Sequence, residues 1–229
     1  MIPVEIPPNT VMLKGLSFDS NIYIIRDGNE GLMIDTGTGS IFEPYKDTLE
    51  REGYLEGVER MVILNTHEHF DHVGGNLVWK KYFENRGIKV RFASHSNTSK
   101  TLENSEDRII LSYYHGKKYN PHKVDIKLEE GDTLKVGSLE FKVMHTPGHT
   151  QGSICLYEPK EKLLFTGDTI FYESVGRTDL PTGNFWQLLD SINRLKSMDV
   201  YIGLPGHGRI IQHWDENMEK IKALIEHYL

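Results

Sequence analysis

The chain has 229 residues, 33 acidic against 26 basic side chains, and a formal net charge of −7. That length allows one large domain or two small ones around a substantial core, and the acidic balance argues against nucleic acid as a partner. Cys155 is the single cysteine, which excludes an intrachain disulfide framework. A start without a basic, apolar leader and the lack of any bilayer-long apolar run imply a cytoplasmic protein that does not enter membranes.

Strand-like runs come first, at Val11–Leu13, Asn21–Ile25 and Gly31–Ile34. The third ends in the turn Asp35-Thr36-Gly37, and Ile41 to about Glu52 reads as a helix. Met61–Asn65 is the next strand. A helix from Asn76 to about Arg86 and a strand at Lys89–Ala93 follow. Residues 94–125 are polar with helical stretches at Thr98–Glu103 and Asp107–His115, the least scaffold-like part of the chain and a candidate lid or specificity segment. Strand signals return at Thr133–Val136, Leu139–His145, Ser153–Tyr157 and Leu163–Thr166. Trp186 to about Ser197 is an amphipathic helix, Tyr201–Leu204 a short strand, and Met218, Ile221, Leu224, Ile225 and Tyr228 form the apolar stripe of a last helix. Each half thus holds strands followed by helix. Two facing sheets with helices outside bury both sets, so the expected fold is α/β: one four-layer αββα domain over residues 1–229.

The strand Met61–Asn65 runs into Thr66-His67-Glu68-His69-Phe70-Asp71-His72. Three histidines and an aspartate at the exit of a buried strand point to a divalent metal centre rather than to hydrogen bonding. In extended chain His67 and His69 project to one side and can grip one ion while Glu68 points away. On a helix they would diverge, so this is not the helical His-Glu-x-x-His pattern, whose second histidine would fall at Asp71. Asp71 and His72 are adjacent, and a turn can aim both at a second ion. Three later loops each place a glycine directly before a candidate ligand: Gly148-His149, Gly167-Asp168 and Gly206-His207. Glycine lets the chain turn there and point the ligand back over a sheet edge.

His67-x-His69-x-Asp71-His72, with His149, Asp168 and His207 in that order, resembles the metallo-β-lactamase fold superfamily. The resemblance runs from about Asp35 to His207. It implies one metal held by His67, His69 and His149, a second held by Asp71, His72 and His207, and Asp168 bridging the two. Lactamases of this fold lack a bridging aspartate at that place. Asp168 and the stretches Phe165–Phe171 and Gly176–Pro181 instead look like the glyoxalase II (hydroxyacylglutathione hydrolase) branch. The chain departs from that branch in having no tyrosine just after His207 and only one helix beyond it, which places glutathione as the thiol in question.

The implied activity is dinuclear metal-dependent hydrolysis of a thioester through a metal-bridging hydroxide, with Asp71 and Asp168 as catalytic residues. The implied cofactors are two divalent ions, zinc first, with iron or manganese as alternatives. The partner is a small acyl or thioester substrate; a homodimer is possible. An iron-dependent persulfide dioxygenase of the same fold is the alternative, and a lactonase shares the ligand pattern. Arg177, Tyr114 and Lys117 are the candidate substrate contacts, although Arg177 can equally pair with Asp179. Asp35 reads as a support for the ligand loop. His95, His115, His122, His145, His213 and His227 read as ordinary histidines, and Cys155 as a core residue.

Overall fold

The computed structural model of the protein describes residues 2–228, with side chains through residue 226. One sheet has seven strands in chain order: β1 (Val4–Ile6), β2 (Thr10–Leu13), β3 (Ile22–Asp27), β4 (Glu30–Ile34), β5 (Arg60–Asn65), β6 (Lys89–His95) and β7 (Ile126–Leu128). Pairing is antiparallel through β4 and parallel from β4 to β7. Parallel neighbours need a crossover. α1 (Phe42–Arg51) supplies it between β4 and β5. α2 (Phe70–Val73) and α3 (Asn76–Asn85) supply it between β5 and β6, and α4 (Ser96–Asn104) and α5 (Asp107–Ile110) between β6 and β7.

The second sheet combines β8 (Thr133–Val136), β9 (Leu139–His145), β10 (Ile154–Glu158), β11 (Leu163–Gly167) and β14 (Ile202–Pro205), in the spatial order β14-β11-β10-β9-β8. A small hairpin, β12 (Ile170–Phe171) and β13 (Ser174–Val175), follows β11. α6 (Phe185–Lys196) and α7 (Trp214–Tyr228) cover the outer face.

Strand alternation builds the layers. On β3, Ile22 and Ile24 face the α1/α3 side, where Tyr45, Leu49, Trp79 and Phe83 are buried, while Tyr23 and Ile25 face the second sheet. On β11, Leu163 and Phe165 meet the first sheet, and Leu164 packs with Leu188, Leu195, Trp214 and Ile221 of α6 and α7. Period-2 alternation between two apolar faces is what a sheet covered on both sides requires, and each fully buried large side chain contributes on the order of 1.5–3 kcal/mol. The result is the four-layer αββα arrangement expected. In the last helix Met218, Ile221 and Ile225 are buried, whereas the side chain of Tyr228 lies outside the described residues, as does that of His227. Cys155 is fully buried in the outer core.

The polar segment 94–125 divides in two. α4 is scaffold: Thr98, Ser99, Thr101 and Leu102 are buried. Its hydroxyls are satisfied internally, Thr98 Oγ1 donating to Glu68 Oε2 at 2.7 Å and Ser99 bonding Ser94 at 2.8 Å, so its polarity does not mark exposure. The expected helical stretch Asp107–His115 is present as α5 and a 3₁₀ turn, Ser112–His115, separated by left-handed Leu111 with φ of 65°.

Candidate metal centre

Four loops meet where the ends of the two sheets face each other. β5 leads through Thr66–His69 into α2, which is a single helical turn rather than an irregular one and carries Asp71 and His72. His149 follows β9, Asp168 follows β11 and His207 follows β14. The sheets are tied together there by backbone bonds: Ile154 N–H donates to Thr66 O at 2.9 Å and Asn21 N–H to Gly206 O at 2.6 Å. Asn21 and Tyr23 of the first sheet hold the His207 loop, Asn21 Nδ2 donating to Pro205 O at 2.9 Å and Tyr23 Oη to the same oxygen at 2.7 Å. Gly206 does not sit in the left-handed region; its role is close approach, since a Cβ there would lie 2.2 Å from Asp168 Oδ1 and 2.8 Å from His72 Cε1.

All seven side chains singled out in the sequence come together. Three groups place one coordinating atom from each member within 4.8 Å of the others: His67, His69 and His149; His67, His72 and Asp168; and Asp71, His72 and His207. His149 Nε2 lies 2.9 Å from His69 Nδ1, and His72 Nε2 lies 3.1 Å from His207 Nε2. Asp168 faces both clusters, with Oδ1 3.3 Å from His72 Nε2 and Oδ2 3.6 Å from His149 Nε2 and 3.7 Å from His207 Nε2. Asp71 Oδ2 is 3.1 Å from His207 Nε2.

Such spacings fit a cation. Nitrogen ligands about 2.0–2.1 Å from a tetrahedral zinc are roughly 3.3 Å from one another. The rear nitrogens fix the tautomers. His149 Nδ1 meets Arg177 O at 2.8 Å and His72 Nδ1 meets Asp35 Oδ2 at 2.8 Å, so each donates there and turns the lone pair of Nε2 inward. His67 Nδ1 lies 3.1 Å from Thr66 Oγ1, which donates to Asp35 Oδ2 at 2.8 Å. Within this arrangement the buried atoms His67 Nε2, His69 Nε2 and Asp168 Oδ1 have no hydrogen-bond partner, and buried atoms of this kind carry a cost unless something binds them. The donor set, imidazole with carboxylate, suits divalent ions of the zinc, iron and manganese kind.

The charges say the same. Burial pushes the imidazoles of His67 and His149 below their ordinary range and that of His69 down to about 3, with cationic neighbours adding to the effect at His67 and His69. Burial would also discharge His72, but the carboxylates of Asp168, Asp35 and Asp71 hold it well above that range. Burial opposes ionisation of Asp71 and Asp168 as well; His72 and His207 overcome it, bringing Asp71 to about 2 and Asp168 well below the usual carboxylate range. Two carboxylates, buried Asp168 and half-buried Asp71, thus face one pocket of space and are held ionised by the positive charge beside them.

Asp35 supports the site from behind. It is buried, and its φ of 60° is left-handed, a conformation an aspartate tolerates. Oδ1 accepts the Thr66 N–H at 2.8 Å, while Oδ2 serves Thr66 Oγ1 and His72. Glu68 points away from the site, where Thr98 and Thr150 hydroxyls donate to it at 2.7 and 3.1 Å and key α4 and the His149 loop to the ligand loop.

A cleft of about 600 Å³ opens over His69, Asp71, His149, Asp168 and His207. Of the candidate substrate contacts, Arg177 and Tyr114 line it, and Lys117 lines a neighbouring groove beside Phe70 and Asn76. Arg177 is bound to Asp179 through two 2.7 Å bonds. Phe18, Leu111, His115 and Leu180 also line the cleft. Nothing in their local sequence marks them as cleft-lining.

Residues 17–207 match the metallo-beta-lactamase superfamily. A probable metallo-hydrolase of Methanocaldococcus jannaschii is 39% identical over 203 residues, covering 86% of this chain and 92% of that protein. The hydroxyacylglutathione hydrolase GloC of Haemophilus influenzae is 31% identical over 213 residues, covering 87% and 91%. Among solved structures, BLEG-1, described as a B3 metallo-beta-lactamase, is 29% identical with a TM-score of 0.74, covering 90% of this chain and 95% of that one. With its ligand loops gathered at one end of two facing sheets and its relatives named as metallo-hydrolases, the chain belongs to the metallo-beta-lactamase superfamily.

Proposed function

We propose that the protein is a dinuclear metal-dependent hydrolase of thioesters. The observation that carries this reading is the convergence of the seven side chains beneath an open cleft. His67, His69 and His149 would hold one divalent ion, and Asp71, His72 and His207 a second, with Asp168 between them. Bound there, such ions lower the pKa of water toward about 7 and polarise a carbonyl oxygen.

The protein's own groups do the rest. Asp35 and the Arg177 carbonyl fix His72 and His149 with their Nε2 lone pairs inward. Asp71, ionised at the cleft floor, is a hydrogen-bond acceptor that can orient the attacking water, whose proton passes to solvent. Water adds its oxygen to the acyl carbon, the C–S bond breaks, and the carrier leaves with the sulfur. Asp71 and Asp168 are both held ionised, so neither offers a proton to the departing group. A thiolate, whose conjugate acid has a pKa near 8.5, leaves without one; an amine does not. This favours a thioester over an amide, in keeping with the hydroxyacylglutathione hydrolase relative. Tyr114 and Arg177 are the proposed substrate contacts on the cleft wall. An oxygenase using one iron would leave the Asp71, His72 and His207 group idle, which favours hydrolysis.

The test is metal analysis followed by a panel of lactoylglutathione, simple thioesters, a lactone, a cephalosporin and a phosphodiester. Two divalent ions per chain and thioester turnover are expected. Inert thioesters beside rapid turnover of another panel member would overturn the proposal.

A further inference from the structure

The cleft over the metal-ligand cluster has an apolar and aromatic wall with no free cation in it. Phe18, Leu111, Tyr114, His115 and Leu180 make up that wall, and Arg177 is the single Lys or Arg among the described residues that line it. Both Phe18 and Tyr114 are largely exposed, at 74% and 67%. The loop that carries Phe18 is fixed rather than slack. Asp19 Oδ1 accepts Thr38 N–H at 2.7 Å, Tyr45 Oη accepts Leu16 N–H at 2.8 Å, and Asn21 Oδ1 accepts Gly15 N–H at 3.0 Å. The Phe18 ring sits edge-on to His115 with centroids 6.0 Å apart, and His115 rests on Phe70 at 5.3 Å. An aromatic side chain pinned in solvent at the mouth of a cleft is a surface prepared for an apolar group.

The charge pattern points the same way. Arg177 already gives Asp179 a two-pronged pair. Asp179 neutralises the guanidinium and fills its Nε/Nη2 edge, so a substrate carboxylate meets an exposed, already paired cation and gains little from it.

We propose, resting on the hydrolase reading, that the cleft selects ligands whose recognised group is apolar or aromatic and uncharged, and discriminates against carboxylate-bearing thiol carriers such as glutathione. Phe18 and Tyr114 set the preference for the apolar group, and Asp179 sets the discrimination by occupying Arg177.

The experiment uses metal-loaded protein and four thioesters, acetyl and phenylacetyl, each on N-acetylcysteamine and on glutathione, with thiol release as the readout. S-benzyl-N-acetylcysteamine and S-benzylglutathione, which cannot be hydrolysed, give the same comparison as Kd by calorimetry. The expected order of kcat/KM is phenylacetyl over acetyl and N-acetylcysteamine over glutathione, with the neutral thioether binding more tightly. Phe18→Ala lowers the phenylacetyl-to-acetyl ratio about two- to tenfold, the range of one aromatic contact. Asp179→Asn raises the glutathione-to-N-acetylcysteamine ratio about two- to fivefold by freeing Arg177. Equal or better use of the glutathione compounds, or ratios unmoved by both variants, overturns the selectivity. No turnover of any thioester together with the expected order of Kd sinks the hydrolase reading alone.

Discussion

Asp35→Asn is the most informative single change, because it alters the support of the site without touching a proposed ligand. Asparagine is close in shape and tolerates the left-handed backbone at this position, so the φ of 60° is kept. Three contacts of 2.8 Å are at stake, one on Oδ1 and two on Oδ2. The new amide must put its NH₂ on one side or the other. Facing Thr66 N–H, it opposes donor to donor and leaves a buried amide unsatisfied, at a cost of about 1–3 kcal/mol. Facing His72 Nδ1, it favours the other tautomer and puts a proton on Nε2, where the lone pair is needed. Either way the loss of a supporting carboxylate behind a ligating histidine costs on the order of 10–100-fold in metal affinity. Asp35 touches His72 directly and His67 only through Thr66, so the ion proposed at Asp71, His72 and His207 is expected to be released first. Competition with a chromophoric chelator measures this directly: two tight equivalents in the wild type, one tight and one weakened in the variant. A variant that keeps both ions at wild-type affinity refutes the supporting role.

Removing metal changes the pH response of stability. His67, His69 and His149 have folded pKa values below the ordinary value of about 6.5, so the unfolded chain binds more protons beneath that pH and stability rises as pH climbs from about 3. His72 and His207 are shifted up, so their stabilisation is complete below about 6.5 and is lost as pH rises through their folded values. Thermal melts in chelator are therefore expected to peak near pH 6.5 and the alkaline fall to vanish on metal addition; a monotonic profile in chelator contradicts the charge assignment. Gly206→Ala places a methyl group 2.2 Å from Asp168 Oδ1, and is expected to lower metal content and activity together at a stability cost of about 1–3 kcal/mol; an active, fully loaded variant counts against the close approach. Cys155 is buried and its thiol pushed up to about 11, so it should react with a thiol reagent only after unfolding, and prompt labelling of native protein would show the outer core to be open.

The chemistry of the site was legible in the sequence and its walls were not, for a physical reason. Ligating a metal restricts residue type severely, so four ligands within His67–His72 and three glycine-preceded ligands stand out before any fold is known. Lining a cleft restricts residue type hardly at all. Phe18 and His115 are far apart in sequence, neither belongs to a periodic pattern, and only the fold brings their rings within 6.0 Å. Strands with two-sided burial were found to within a few residues, because their apolar runs are nearly continuous. β1, only three residues long and followed by Pro7-Pro8, and the two-residue strands β12 and β13 carry too little pattern to register. The polar composition of α4 made it look unlike scaffold, but the buried hydroxyls of Thr98 and Ser99 are satisfied by the buried carboxylate of Glu68 and by Ser94.

The ordering of the ligands along the chain has its own logic. His67, His69, Asp71 and His72 come from the first sheet and its crossover, whereas His149, Asp168 and His207 come from the second. Neither sheet alone can complete any of the three candidate groups, since each takes members from both. The site therefore exists only when the inter-sheet core around Tyr23, Leu64, Phe141 and Phe165 is packed. Close packing of that core fixes the sheets relative to each other far more rigidly than loops could. The backbone bonds Ile154 to Thr66 and Asn21 to Gly206 then carry that rigidity into the ligand loops. A cation bound at this seam joins the two halves in return, so metal affinity and sheet docking are one linked equilibrium. Without a cation, protonated His72 and His207 supply the positive charge that the carboxylates of Asp71 and Asp168 need, so the metal-free seam weakens as rising pH discharges the two histidines.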